Sequence, residues 1–195
     1  RFGGGTSSLT RGVFAHGNNS NTIEYITIAT AGDATDFGDS AVSFANGIGS
    51  CSSPTRGVFG GGYQGGYVNT LNYITIANTG NATDFGDLHE ARYGLGGYGS
   101  DTRGVFTGGA TASATDRSNK VDYITIASTG NAADFGDLNV VRRGMGAASS
   151  KTRGLVSGSL QVSAAINSIE YMTIASLGDG TDFGDLTGQS SEGAG

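Results

Sequence analysis

The chain consists of four diverged copies of one segment, and this repetition constrains its fold more than any other feature. The phrase TIEYITIA at residues 22–29 returns as TLNYITIA, KVDYITIA and SIEYMTIA, and its tyrosine recurs in steps of 48, 50 and 48 residues. Each phrase is followed by TDFGD or ADFGD, and each copy also contains TRGVF or TRGLV. A period of this length is typical of architectures in which one supersecondary unit is stacked on the next.

Each copy of the repeat predicts four short β-strands. The first is a glycine-rich run such as 92–100, the second follows the TRG phrase, the third is the YITIA run and the fourth surrounds DFGD. The YITIA strand is apolar on both faces, which indicates a sheet that is covered on both sides. The link between the third and fourth strands, such as 78–81, has the Gly and Asn of a tight hairpin.

Small four-stranded sheets with two buried faces are what a radial stack of blades requires. The sequence therefore predicts an all-β propeller, and the alternative is a β-solenoid, which generally has shorter coils and needs no antiparallel hairpin. Four blades are visible, which either close into a ring or form part of a larger propeller. The predicted single repeat domain is 1–195, with repeats at 1–40, 41–88, 89–138 and 139–187 and the start of a further strand at 188–195.

Composition argues against several classes of function. The net charge is −6 with two lysines, so the basic field that nucleic-acid binding requires is missing. No segment approaches the ~18 apolar residues that insert into a bilayer. Catalysis commonly needs a histidine base, and the two histidines, His16 and His89, lie at different points of the repeat. We therefore expect a non-enzymatic protein with no membrane insertion and no nucleic-acid partner.

The copies resemble kelch repeats, in which a hydrophobic strand ending in a Gly-Gly doublet precedes a tyrosine strand and an aromatic strand. The matching residues are Val58, Phe59, Gly60, Gly61, Gly62, Tyr73, Phe85, Leu88 and Arg92 in the second copy, and Gly108, Gly109, Tyr123, Phe135, Leu138 and Arg142 in the third. The fourth copy has Gly158-Ser159 in place of the doublet, and phenylalanine stands where kelch repeats usually carry tryptophan. The resemblance implies a kelch-like propeller, and kelch propellers usually have six or seven blades.

The phrases TRGVFGGG, YITIA and TGNATDFGD are also similar to repeat proteins of bacteriophages, notably marine ones, where they accompany virion components. This resemblance implies a structural or receptor-binding component of a virion, such as a tail, fibre or capsid-associated protein, or of another extracellular assembly. Its partners would be other assembly proteins, copies of itself or a cell-surface glycan. The alternatives are a soluble protein-interaction propeller and, less favoured, a fragment of a kelch-containing enzyme.

Two groups of residues are candidates for binding a partner. Four tyrosines of the second and third copies have no counterparts in the other copies, and aromatic rings on loops suit sugar stacking or protein contacts. Four arginines share one repeat position, where they either receive an anionic partner or pair with an aspartate. The candidates are Tyr63, Tyr67, Tyr93, Tyr98, Arg11, Arg56, Arg103 and Arg153.

The paired carboxylates of the DFGD phrases form a third candidate group. Oxygen-rich clusters hold calcium, which takes six to eight oxygen ligands. The alternative is that the aspartates cap turn N–H groups or pair with the repeated arginines. The candidate calcium ligands are Asp36, Asp39, Asp84, Asp87, Asp134, Asp137, Asp182 and Asp185. No other cofactor is expected.

Overall fold

The computed structural model of the chain describes residues 3–15, 20–44, 46–113, 116–159 and 164–190. These residues form strands and turns, and they include no helix with the length and apolarity to cross a membrane. Sixteen strands make four antiparallel sheets of four strands each, and the strand order in every sheet follows the chain. Each sheet is therefore a simple meander, which we call a blade.

Each blade takes its strands from one copy of the repeat, except that the outer strand of blade 1 continues to Phe44, past the predicted end of the first copy at residue 40. The strands are β1 Gly4–Ser7, β2 Arg11–Ala15, β3 Ser20–Thr27 and β4 Thr35–Phe44 in blade 1; β5 Gly49–Ser52, β6 Arg56–Gly60, β7 Thr70–Thr75 and β8 Thr83–Asp87 in blade 2; β9 Gly96–Gly99, β10 Arg103–Thr107, β11 Lys120–Thr125 and β12 Ala133–Asp137 in blade 3; and β13 Gly146–Ser149, β14 Arg153–Ser157, β15 Ile166–Thr173 and β16 Thr181–Ser190 in blade 4. The four strands predicted for each copy are confirmed in type and order.

The first strands of successive blades lie against one another, so they face the centre of the molecule and the DFGD strands lie outside. This radial arrangement of antiparallel meanders confirms the all-β propeller, and the solenoid alternative is not formed. Strand β16 continues to Ser190, so residues 188–190 extend the outer strand of blade 4 instead of starting a further strand. Residues 191–195 lie outside the described part of the chain.

The hydrophobic core is divided into three clusters, one at each junction between neighbouring blades. In each cluster the YITIA isoleucine or methionine side chains of one blade pack against the DFGD phenylalanine of the blade before it. The residues at that phenylalanine position are Phe37, Phe85 and Phe135, all of which are buried. Because both faces of blades 2 and 3 are covered in this way, the prediction from the apolar YITIA strand is confirmed.

Close packing between blades explains the glycine of the TRG phrase. A Cβ atom on Gly104 would lie 2.3 Å from Sγ of Cys51, and one on Gly154 would lie 1.9 Å from the ring of Tyr98. Cys51 and Tyr98 belong to the inner strands of the preceding blades. Glycine at this position therefore makes room for an inner-strand side chain of the neighbouring blade.

Two buried ion pairs lie at the junctions that follow blades 2 and 3, where each joins a connecting segment to the blade that follows it. Arg92 pairs with Asp122, and Arg142 pairs with Glu170, with all four side chains almost completely buried. Burial lowers the pKa of both guanidinium groups, against the opposing effect of the carboxylates. The equivalent residue at the first junction is Asn72, whose Nδ2 and Oδ1 atoms are buried and lack a hydrogen-bond partner within the described structure. The first junction thus contains a buried polar side chain whose hydrogen-bonding groups have no partner within the described residues.

Candidate functional site

Consecutive turns of an antiparallel meander alternate between its two ends, so the propeller has two chemically different faces. We call the end with the longer connections, residues 61–69, 88–95, 108–119 and 138–145, the loop face. The opposite end, which carries the short turns before each TRG phrase and after each YITIA phrase, is the turn face. The non-repeated residues of the chain are concentrated on the loop face.

Three of the four candidate tyrosines meet on the loop face. The ring centroids of Tyr63 and Tyr67 lie 5.4 Å apart, those of Tyr67 and Tyr93 lie 5.4 Å apart, and those of Tyr63 and Tyr93 lie 6.2 Å apart. These distances fall in the range of favourable aromatic contacts. Tyr63 is exposed and the other two rings are half-buried, so the tyrosine cluster presents an aromatic surface to solvent.

Backbone hydrogen bonds hold the tyrosine cluster in place. The N–H of Tyr63 donates to the carbonyl of Asn46 at 3.1 Å, and Tyr93 and Ala110 exchange two hydrogen bonds at 3.0 and 2.8 Å. Tyr63 also forms a bridge with Tyr67, and Ala110 forms one with Arg117. The connections of blades 2 and 3 are therefore joined to each other, which fixes the rings before any partner arrives.

Two arginines border the tyrosine cluster. Nη1 of Arg143 donates to the hydroxyl of Tyr93 at 2.7 Å, and its guanidinium carbon lies 5.3 Å from the centroid of that ring. Arg117 is only 8% exposed, yet its Nε and Nη1 atoms have no hydrogen-bond partner in the described structure, and neither does Nε of Arg143. Buried polar groups are normally hydrogen-bonded, so these N–H groups are donors that lack an acceptor.

The electrostatics of this site are positive. Burial, and then the nearby charge of Arg143, lower the pKa of Arg117. Burial raises the pKa of Tyr67, as do its two tyrosine neighbours, so its hydroxyl stays protonated at neutral pH. Asp116 places a carboxylate at the edge of the site, where it accepts a hydrogen bond from Thr111 at 2.8 Å. The tyrosines and arginines thus combine flat apolar rings with spare hydrogen-bond donors.

The fourth candidate tyrosine lies elsewhere. Tyr98 is 4% exposed in the inner strand of blade 3, and its hydroxyl lies 3.2 Å from Sδ of Met172 in blade 4. It packs over Gly154 and belongs to the core, so it is not part of the tyrosine cluster. Sequence reasoning missed Arg117 and Arg143, although both lie in connections whose residues differ from copy to copy, as the tyrosines do.

The repeated arginines on the turn face join neighbouring blades. The guanidinium carbons of Arg11, Arg56 and Arg103 lie 4.2–4.5 Å from the centroid of their own YITIA tyrosine. Nη1 of each arginine donates to an isoleucine carbonyl of the next blade at 2.7–2.8 Å. These three arginines therefore do not form the predicted pairs with aspartate. Each guanidinium instead contacts a tyrosine ring and donates to a backbone carbonyl. Arg153 stacks on Tyr171 and is exposed.

The DFGD aspartates lie on the outer strands, where they are exposed or half-buried. The backbone N–H of Asp39, Asp87 and Asp137 donates to a side-chain oxygen of the next blade at 2.9–3.0 Å. The acceptors are Asn81, Asn131 and Asp179. Within the described residues, no three His, Cys, Asp or Glu side chains are grouped so that they could hold a metal ion. Calcium binding stays a prediction from the sequence.

His89 lies outside the tyrosine cluster. His16 is outside the described residues, and His89 is exposed, with its backbone N–H donating to Asp122 at 3.3 Å.

The fold defines the chain as a β-propeller protein. A solved structure described as "Structure of YjhT" is similar to it, with a TM-score of 0.81 and 6% sequence identity over 97% of this chain. The chain spans 66% of the length of that protein's chain. At this identity the likeness shows the fold alone. No family model and no curated protein matches the sequence.

Proposed function

We propose that this protein is a non-enzymatic, kelch-like binding propeller, and that the tyrosine cluster with Arg117 and Arg143 is its ligand site. The observation that carries the proposal is the combination of three fixed tyrosine rings with buried guanidinium N–H groups that have no acceptor. A ligand that offers apolar faces and many acceptor oxygens matches both features. Carbohydrates have this chemistry, since sugar rings pack on aromatic faces and hydroxyl oxygens accept hydrogen bonds.

The two guanidinium groups favour a glycan that carries negative charge. Carboxylate and sulfate oxygens accept stronger hydrogen bonds from arginine than neutral hydroxyls do. Burial is the main reason why the pKa of Arg117 is lowered, and repulsion by the charge of Arg143 adds to it, so a bound anion would relieve part of the effect. We therefore place acidic oligosaccharides ahead of neutral ones as ligands of this site.

The wider setting that we propose is a virion or another extracellular assembly, in which the site binds a cell-surface glycan. This part rests on the similarity of the repeat phrases to bacteriophage-encoded repeats. It is tested by asking whether the protein is recovered in purified particles and whether electron microscopy of the particles shows its density.

Binding is tested with a microarray of neutral and acidic oligosaccharides, followed by calorimetry on the strongest ligands. We expect Tyr63→Ala and Arg117→Met each to weaken binding about tenfold or more. Lys151→Met is the control, because it removes an exposed positive charge from a short turn on the opposite face. Equal losses in Arg117→Met and Lys151→Met, with no loss in Tyr63→Ala, would show non-specific charge attraction. Binding of a protein partner, with no glycan bound, would favour the soluble interaction propeller instead.

A further inference from the structure

One residue of the fourth copy adopts a backbone conformation that two other copies reserve for glycine. Ser159 has a φ of 132°, whereas Gly62 and Gly109, the second glycines of the corresponding doublets, have φ values of 106° and 107°. A residue with a side chain rarely adopts this region, because its Cβ atom crowds the neighbouring backbone. Strain of this kind persists where the surrounding structure holds it, and it is concentrated at functional sites.

The hydroxyl of Ser159 makes a contact that glycine would lack. Its Oγ donates to the carbonyl of Arg143 at 2.7 Å, and the residue is completely buried. In blade 3 the equivalent carbonyl, that of Tyr93, accepts a hydrogen bond from the backbone N–H of Ala110 at 2.8 Å. A glycine at position 159 would adopt this φ without strain, but it would have no hydroxyl to donate. The serine therefore adds a side-chain bond to an arginine that borders the tyrosine cluster.

Further contacts fix Arg143 on its other sides. The stem of Arg143 packs over Gly94, where a Cβ atom would lie 3.4 Å from the arginine Cβ. The next residue, Gly144, donates its N–H to the carbonyl of Gly94 at 2.8 Å. The guanidinium donates to the hydroxyl of Tyr93 at 2.7 Å and lies 5.3 Å from the centroid of its ring. A continuous path of contacts thus leads from the buried hydroxyl of Ser159 through Arg143 to the tyrosine cluster.

We propose that Ser159 is a positioning residue of the ligand site, whose hydroxyl holds the backbone of Arg143 so that the guanidinium stays beside Tyr93, ready for an acidic group. The inference rests on the proposed function for its ligand, whereas the path of contacts belongs to the protein alone. An arginine that is already fixed binds an anion with a smaller loss of side-chain entropy than a mobile one does. Ser159 therefore contributes to the preference for acidic over neutral oligosaccharides.

The first test needs no ligand and follows Arg143 by NMR in a chain with isotope-labelled arginine. A hydrogen-bonded, buried guanidinium exchanges its protons slowly, so its N–H groups should give sharp signals, which Arg143→Met identifies by their loss. Ser159→Ala and Ser159→Gly both remove the hydroxyl, and we expect each to shift or broaden these signals. Ser176→Ala is the control and should leave them unchanged, because Ser176 is exposed on the turn face.

Urea unfolding separates the strain of the backbone from the role of the hydroxyl. Both Ser159 variants lack the hydroxyl, but only glycine adopts a positive φ without strain. We therefore expect Ser159→Gly to be more stable than Ser159→Ala, although the two should change the Arg143 signals alike. An effect on the site that followed stability would instead be larger in Ser159→Ala.

The second test measures binding by calorimetry with two probes, tetragalacturonate and its methyl ester, which has the same sugar rings without the charges. We expect both Ser159 variants to bind the charged probe about fivefold more weakly, which is the order of the penalty for ordering one long side chain. Their affinity for the ester should not change. In an Arg143→Met background the further change Ser159→Gly should have no effect, since the serine acts through the arginine.

The possible outcomes separate this proposal from the proposed function. Unchanged Arg143 signals in both Ser159 variants would overturn the positioning role. Equal weakening for both probes, or weakening that persists without Arg143, would overturn it too, because the loss would then come from a general disturbance of blade 4. If neither probe binds the natural chain while the Arg143 signals respond as expected, Ser159 still positions Arg143, and it is the oligosaccharide ligand that is wrong.

Discussion

Replacement of one phenylalanine at a time measures how much a blade junction contributes to stability. Phe135 and Phe183 occupy the same position of the repeat, in the same DFGD phrase and in equivalent outer strands. Phe135 lies in the cluster between blades 3 and 4 and is 3% exposed, whereas Phe183 is 53% exposed. The pair therefore compares one side chain in two environments within one molecule.

The expected losses differ by several kilocalories per mole. Phe→Ala in a packed core lowers the free energy of unfolding by about 3–5 kcal/mol, because transfer energy is lost and a cavity remains. Phe135→Ala should fall in that range. At Phe183 about half of the ring already faces solvent and no neighbouring blade encloses a cavity, so we expect about 1–2 kcal/mol. For a chain of 195 residues the larger loss corresponds to a fall in Tm of roughly 6–20 °C.

Urea unfolding, followed by circular dichroism at low protein concentration, measures both values. Phe85→Ala, at the second junction, is a positive control and should match Phe135→Ala. Equal losses for Phe135→Ala and Phe183→Ala would refute the conclusion that neighbouring blades, and not the blade's own strands, provide the main packing for this side chain.

Three other substitutions or conditions address buried polar groups. Burial raises the pKa of the Cys51 thiol from 9.0 to about 12, so iodoacetamide should label it at pH 8 only after denaturation, as read by mass spectrometry. Because the folded pKa lies above the unfolded value, stability should fall as the pH rises from about 9 toward 12. Asn72→Leu should raise the free energy of unfolding by about 1 kcal/mol, since it removes unsatisfied polar atoms. Arg142→Met should lower it by about 3–5 kcal/mol by leaving Glu170 unpaired, and Arg142→Met/Glu170→Met should recover most of that loss in urea unfolding.

The blades were predictable because their signals are local. The YITIA run, the hairpin glycine and the DFGD phrase each act within one copy, and fourfold repetition removes the ambiguity of any single copy. The positions of these strands follow from residue types alone. The packing between blades does not follow from residue types alone, because it depends on atoms from two copies. Thus the sequence of one copy does not show that Gly104 makes room for Cys51 of the preceding blade.

The candidate site was only partly predictable for the same reason. Lack of repetition placed Tyr63, Tyr67 and Tyr93, which lie together in the structure, in one group with Tyr98, which lies apart in an inner strand. The sequence did not reveal Arg117 as a site residue, because the burial of its guanidinium and the lack of a hydrogen-bond partner become visible only in the structure. For the repeated arginines the sequence offered an anionic partner or an aspartate, whereas the acceptor within the chain is a backbone carbonyl, which residue types do not reveal.

The consecutive order of strands within each sheet has a consequence for how the chain acquires its structure. Every strand pair joins neighbours in the sequence, and the contacts between blades span about one repeat, so no step requires the closure of a very long loop. Stability then approximates a sum of blade and nearest-neighbour terms, as in a linear array of coupled units. The outer units of such an array open first. Hydrogen exchange should therefore be slowest in blades 2 and 3 and faster in blades 1 and 4, so that loosening of the molecule proceeds inward from its two ends.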